Sequence, residues 1–90
     1  MDAVNLTVVI LTYNEEKHIE RCIRSVKKCA SDIVIIDSFS TDNTIQIADS
    51  FGARVFQNPW TNHAVQFQWG LDHSNITTKW VIWKLLRRSY

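Results

Sequence analysis

The chain carries four short apolar runs, separated by stretches in which apolar positions recur at helical spacing. The first, Thr7-Val8-Val9-Ile10-Leu11, shows no alternation and stops at a polar corner, Thr12-Tyr13-Asn14-Glu15-Glu16. A short run rich in β-branched residues and apolar on both faces predicts the central strand of a parallel sheet covered on both sides. Asn14 followed by two glutamates predicts a helix start, with Asn14 as N-cap and the acids complementing the helix dipole. Beyond it, Ile19, Cys22, Ile23, Val26 and Ala30 fall on one side, and Lys17, Glu20, Arg21, Arg24, Lys27 and Lys28 on the other. That pattern predicts an amphipathic helix of about four turns.

Ser31-Asp32 interrupts the helix, and Ile33-Val34-Ile35-Ile36 is a second fully apolar run that ends at Asp37-Ser38-Phe39-Ser40-Thr41-Asp42. Ser40 or Thr41 is the expected cap of the next helix, with Asp42 in its first turn. Ile45, Ala48 and Phe51 form that helix's buried stripe, and Gly52 stands where a glycine is expected just past its end. Ala53-Arg54-Val55-Phe56 alternates, which predicts a shorter third strand nearer an edge, and Pro59 ends regular structure because it has no amide proton. A third helix is expected from about residue 61, its apolar face made by Trp60, Ala64, Phe67 and Leu71, with Trp69 off that stripe. After a polar connection over residues 72–78, Trp80-Val81-Ile82-Trp83 reads as a fourth strand. The order β-α-β-α-β-α-β predicts an α/β fold: a three-layer, Rossmann-like parallel sheet of about four strands with helices on both faces.

Composition narrows this picture only slightly. Ninety residues make one domain, with 46% hydrophobic residues and a net charge of +1, so neither disorder nor a basic nucleic-acid-binding field is indicated. A domain of this length buries roughly 60 to 65% of its unfolded surface. Cys22 and Cys29, seven residues apart on one expected helix, are separated by about 10 Å, too far for a disulfide. They read as reduced thiols in a cytoplasmic chain, and both are expected along or beside the helix's buried face. The sequons at Asn5 and Asn75 read as chance matches. His18, His63 and His73 have no metal-site spacing, and Trp60, Trp80 and Trp83 are expected in core packing.

Two consecutive parallel strands that end in Thr12-Tyr13-Asn14-Glu15 and Asp37-Ser38 bring those residues to one rim of the sheet, where open α/β folds bind ligands. The rim offers an aromatic ring, hydroxyls, carboxylates and backbone amides, a set suited to a nucleoside. Residues 11–15 contain no glycine, so neither a P-loop nor a Gly-rich dinucleotide turn is present. Together, residues 9–16 and the corner Ile35-Ile36-Asp37-Ser38-Phe39-Ser40-Thr41-Asp42-Asn43-Thr44 resemble the opening of the family 2 glycosyltransferases. Residues 60–72, with Trp80-Val81-Ile82 after them, resemble more narrowly the bacterial enzymes that add sugars to the lipopolysaccharide core.

The resemblance implies an A-type glycosyltransferase fold whose N-terminal part, residues 1–83, holds the nucleoside diphosphate of a sugar donor. Thr12 and Tyr13 would flank the base, Glu15 would face base or ribose, Asp37 would bond the uracil-type ring, and Gln66 and Gln68 would stand near the donor. It also implies a divalent cation, magnesium or manganese, held in the family by an Asp-x-Asp motif after the fourth strand. Here Trp83 is followed by Lys84-Leu85-Leu86-Arg87-Arg88-Ser89-Tyr90, with no acid after Asp72. The expectation is therefore a truncated donor-binding part, inactive alone, with neither catalytic residue nor metal ligand and a tail over 84–90 foreign to the fold. Lys84, Arg87 and Arg88 would otherwise supply the cation's charge or touch an anionic membrane. For the parent enzyme, cytoplasmic location with peripheral contact to the inner membrane is implied, with no nucleic-acid partner and no defined protein partner. The competing reading is a small stand-alone nucleotide-binding or receiver-like module. It suffers from a corner, Thr12-Tyr13-Asn14, and a length that do not suit five strand-helix units.

Overall fold

The computed structural model describes residues 5–86. Over that span the order is β1 (Leu6–Thr12), α1 (Ile19–Lys27), β2 (Asp32–Asp37), α2 (Thr44–Ser50), β3 (Arg54–Gln57), α3 (His63–His73) and β4 (Trp80–Leu86). The strands form one sheet in the order β3-β2-β1-β4, with every neighbouring pair parallel. β1 is central, as its unbroken apolar run requires, and β3 is an edge.

Because side chains alternate across a strand, β1 feeds two cores. Val8 and Ile10 pack with Ile19, Ile23, Ile33, Ile35 and Ala48 on the face covered by α1 and α2. Val9 and Leu11 pack with Val34 and Ile36 on the other face, against Phe56, Trp60, Phe67, Trp69 and Val81. The helices therefore lie on both faces. The chain steps from β1 to β2 to β3 in one direction and then returns to the far side of β1 for β4, which puts the topological switch point between β1 and β4. The carboxyl ends of β1 and β2, beside that point, form the rim.

Several elements depart from expectation. α1 is nine residues long and starts at Ile19, with His18 rather than Asn14 at its N-cap. Asn14 is a left-handed corner residue with φ 50°, and a turn precedes the helix in which the Glu15 carbonyl accepts from the amides of His18 at 2.9 Å and Ile19 at 2.8 Å. Cys22 is buried, but Cys29 lies past the helix end and is exposed; both are free thiols. Gly52, with φ 81°, closes α2 as expected. α3 turns Gln66 and Gly70 inward; Ala64 is exposed, while Trp69 packs on the core and stacks on His73 at 4.2 Å. Gly70 explains the close approach, since a Cβ there would lie 3.0 Å from Cγ1 of Ile36. β4 runs beyond Trp83 to Leu86, pairing Lys84, Leu85 and Leu86 with Ile10, Leu11 and Thr12. Its Trp80 and Trp83 are 60% and 41% exposed rather than buried, because β4 is an edge strand with neither face fully covered. Arg87 and Arg88 lie outside the described residues.

Candidate functional site

β1 and β2 finish in register, Thr12 opposite Asp37. Asp37 is fully buried. Its Oδ1 accepts from Thr12 Oγ1 at 2.7 Å and Ser40 Oγ at 2.6 Å, and its Oδ2 accepts from the Ser40 amide at 2.7 Å. The Ser38 amide adds a bond to the Thr12 carbonyl at 3.0 Å.

The second corner also braces the first. The Asn14 amide donates to Ser40 Oγ and Asn14 Oδ1 accepts from the Thr41 amide, both at 2.8 Å. The Glu15 amide donates to Thr44 Oγ1 at 2.8 Å and the Glu16 amide to Asp42 Oδ2 at 3.2 Å. Asn is among the few residues that tolerate the left-handed region, which is why it suits this reversal. Asp42, rather than Ser40 or Thr41, satisfies the start of α2: its Oδ1 accepts from the amide and the hydroxyl of Thr44. Burial opposes ionisation of Asp42, but the bonds from Thr44 and the Glu16 amide outweigh it and hold the carboxyl below its usual value.

Of the expected site residues, Thr12, Asp37 and Gln66 are brought together. Gln66 is fully buried; its Nε2 donates to Ser38 Oγ at 3.1 Å and to the Asn58 carbonyl at 3.0 Å, and its Oε1 accepts from Asn58 Nδ2 at 2.8 Å. Tyr13 is half-buried on the same rim. Glu15 is 4% exposed, and its Oε1 lies 2.9 Å from Nδ1 of His18. Gln68 is not part of the group: it is exposed on α3 and donates to Asp72 Oδ1 at 3.0 Å. Sequence reasoning placed Ser38 on the rim without making it a recognition residue, and missed Ser40 and Asn58. The two serines stood in the quoted corner, whereas Asn58 carried no periodic or motif signal. Phe39 was missed too: it is 54% exposed, has φ 59°, and its amide donates to Gln57 Oε1 at 3.0 Å. An aromatic in a polar turn was its signal.

Residues 7–83 match the model of glycosyl transferase family 2. The chain belongs to that family. It is 44% identical over 61 residues to an uncharacterized glycosyltransferase of Rickettsia bellii, covering 68% of this chain and 21% of the relative. It is 38% identical over 72 residues to the lipopolysaccharide core biosynthesis glycosyltransferase LpsC of Rhizobium meliloti, covering 74% of this chain and 26% of the relative. Among solved structures it resembles glucosyl-3-phosphoglycerate synthase of Mycobacterium tuberculosis in complex with Mn2+, uridine diphosphate and glucosyl-3-phosphoglycerate. The TM-score is 0.70 at 25% identity, over 89% of this chain and 32% of that one. The chain thus spans about a fifth of the length of the curated relatives it first matches, and its sheet and helices are those of part of an A-type glycosyltransferase domain.

A divalent cation accompanies uridine diphosphate in the synthase. Both oxygens of Asp37 already accept from protein donors, the neighbouring end of β4 presents Leu85 and Leu86, and no group of three His, Cys, Asp or Glu side chains among the described residues could hold a metal. A hard cation wants six or more oxygens, waters included. No described helix is long and apolar enough to cross a membrane.

Proposed function

We propose that the rim at the ends of β1 and β2 holds the nucleoside diphosphate of a sugar donor, with Thr12, Tyr13, Glu15, Asp37 and Gln66 as the recognition residues. The parent reaction is glycosyl transfer to a lipopolysaccharide-core or other glycan acceptor. The single observation that carries the reading is the interlocking of the two corners around the buried Thr12–Asp37 pair, in a chain similar to a synthase whose structure holds uridine diphosphate. Preorganised loops lower the ordering entropy that a ligand must otherwise supply. Gln68 is placed in a lesser role, since it faces Asp72 rather than the rim.

The proposal extends to activity. We place the donor-binding part in residues 1–83, with strand β4 running on to Leu86, and the chain alone binds without turnover, because the rim lacks ligands for the divalent cation, magnesium or manganese, that the family resemblance implies. We place the parent enzyme in the cytoplasm, peripheral to the inner membrane. The receiver-like alternative falls with membership of family 2.

Titrating uridine diphosphate into isotope-labelled protein, with and without manganese, tests this. Amide shifts centred on residues 12–15 and 37–40 that are the same with and without metal are expected. Silence at Tyr13 and Asp37 would overturn the donor site, and binding strengthened by manganese would overturn the metal-free rim.

A further inference from the structure

The chain's net charge of +1 hides a segregation: five of its ten Lys and Arg residues lie between positions 17 and 28. Arg21 and Arg24 of α1 and its C-cap residue Lys28, spaced i, i+3 and i+7, form one exposed stripe, and Lys27 flanks it. The only acid within α1 is Glu20, which pairs with Arg24 Nε at 2.9 Å; α2, packed against it, contributes Asp49. Between the two helices lies a shallow recess of about 400 Å3 lined by Arg24, Lys27, Lys28 and Phe51. The half-buried Phe51 ring forms its floor, with the Arg24 guanidinium 5.2 Å and the Lys27 ammonium 5.9 Å from the ring centre. Lys27 Nζ also donates to the Phe51 carbonyl at 3.1 Å, which holds that cation in place.

This face points away from the donor rim. The C-terminal end of α1 leads into Ser31, whose amide bonds the Leu6 carbonyl at the start of β1, whereas Thr12 and Asp37 stand at the opposite strand ends. An open recess with exposed cations on long stems and one aromatic matches an extended anionic plane, which can meet all of them together, better than a single small anion. We propose that the α1–α2 face docks the protein on an anionic lipid bilayer, with lipid phosphates entering the recess and the stripe of cations lying along the headgroups. The proposal specifies the membrane contact suggested above and does not depend on donor binding.

Each Lys or Arg close to an anionic membrane is worth about a factor of five in partitioning. The test is co-sedimentation of the 90-residue chain with vesicles of phosphatidylcholine alone or mixed with an anionic phospholipid. Binding to the mixed vesicles only, weakened by salt, is expected. The double variant Arg21→Gln, Lys28→Gln, both exposed positions, should bind about thirtyfold more weakly, while Lys79→Gln, in the loop just before β4, should change binding less than twofold; circular dichroism checks that each variant is folded. Equal binding to neutral vesicles, an unaffected double variant, or a loss in Lys79→Gln as large as that from one α1 cation would overturn the proposal. So would competition by inorganic phosphate beyond that of chloride at equal ionic strength, which marks a discrete anion pocket. Unchanged uridine diphosphate titration in the double variant would separate this surface from the donor rim.

Discussion

Asp37 has three donors on two oxygens and no exposure, so these neighbours donate to its side chain and do not accept from it. Replacing it with Asn turns an amide NH2 toward at least one of those donors. Hydrogen bonds to charged groups contribute about 1.5–3 kcal/mol, and an unsatisfied buried group costs a similar amount. Asp37→Asn should therefore lower unfolding stability by about 3 kcal/mol in urea titration and abolish uridine diphosphate shifts. A loss below about 1 kcal/mol would contradict the brace. Asp42 is only partly buried. Its folded carboxyl is held below the unfolded value, so the stability it contributes is complete above about pH 4 and is lost as pH falls through the folded value. Asp42→Asn should flatten that acid limb of a pH series while leaving the neutral and alkaline limbs parallel to the parent. At this scale the sequence was only partly legible. The pairing of Thr12 with Asp37 followed from two strand ends in register. The left-handed Asn14 did not, because bonds from Ser40 and Thr41, some 26 residues away, set it.

α3 shows where periodicity misleads at the scale of an element. Its inward positions are Gln66 and Gly70, neither of them apolar in the usual sense, so a count of hydrophobic residues turned the helix toward Ala64. Packing chose otherwise for two physical reasons. Gln66 satisfies buried groups of the loops after β2 and β3 that an apolar side chain would leave unpaired, and Gly70 lets the helix axis approach Ile36 and Val9. The strands were easier: central parallel strands are unbroken apolar runs, and all four were legible, with ends shifted by a residue in β3, which starts at Arg54 rather than Ala53, and by three in β4, which runs to Leu86. Gly70→Ala tests the packing account. On an exposed helix it would stabilise by about 1 kcal/mol. Here the new methyl meets Ile36 Cγ1 at 3.0 Å and Cδ1 at 3.1 Å, and Ile36 is itself wholly buried. A net loss of about 1 kcal/mol is expected. Ile36→Val removes the Cδ1 contact, so the double variant should be more stable than the sum of the two singles predicts. Strict additivity in denaturant titration would show that Gly70 is not the point of closest approach.

For the molecule as a whole, the two edges of the sheet are unequal. β3 is four residues long, and its Arg54 is held by two bonds to Asp32, at 3.2 and 2.6 Å. β4 is seven residues long and leaves Trp80, Ile82, Trp83 and Leu85 between 40 and 60% exposed. A long, apolar edge with unpaired backbone groups is a template for a further strand, and apolar side chains on both of its faces add to that tendency. Only Lys84 interrupts it with charge. The chain by itself should therefore self-associate as its concentration rises into the micromolar range, with tryptophan emission shifting to the blue as Trp80 and Trp83 leave water. Ile82→Lys with Leu85→Lys places a cation on each face of the edge, the device by which natural sheets blunt such strands. The double variant should stay monomeric in light scattering at concentrations where the parent does not. A parent that remains monomeric, with emission independent of concentration, would mean that the β4 edge is protected by something other than the residues described, and the association argument would fail.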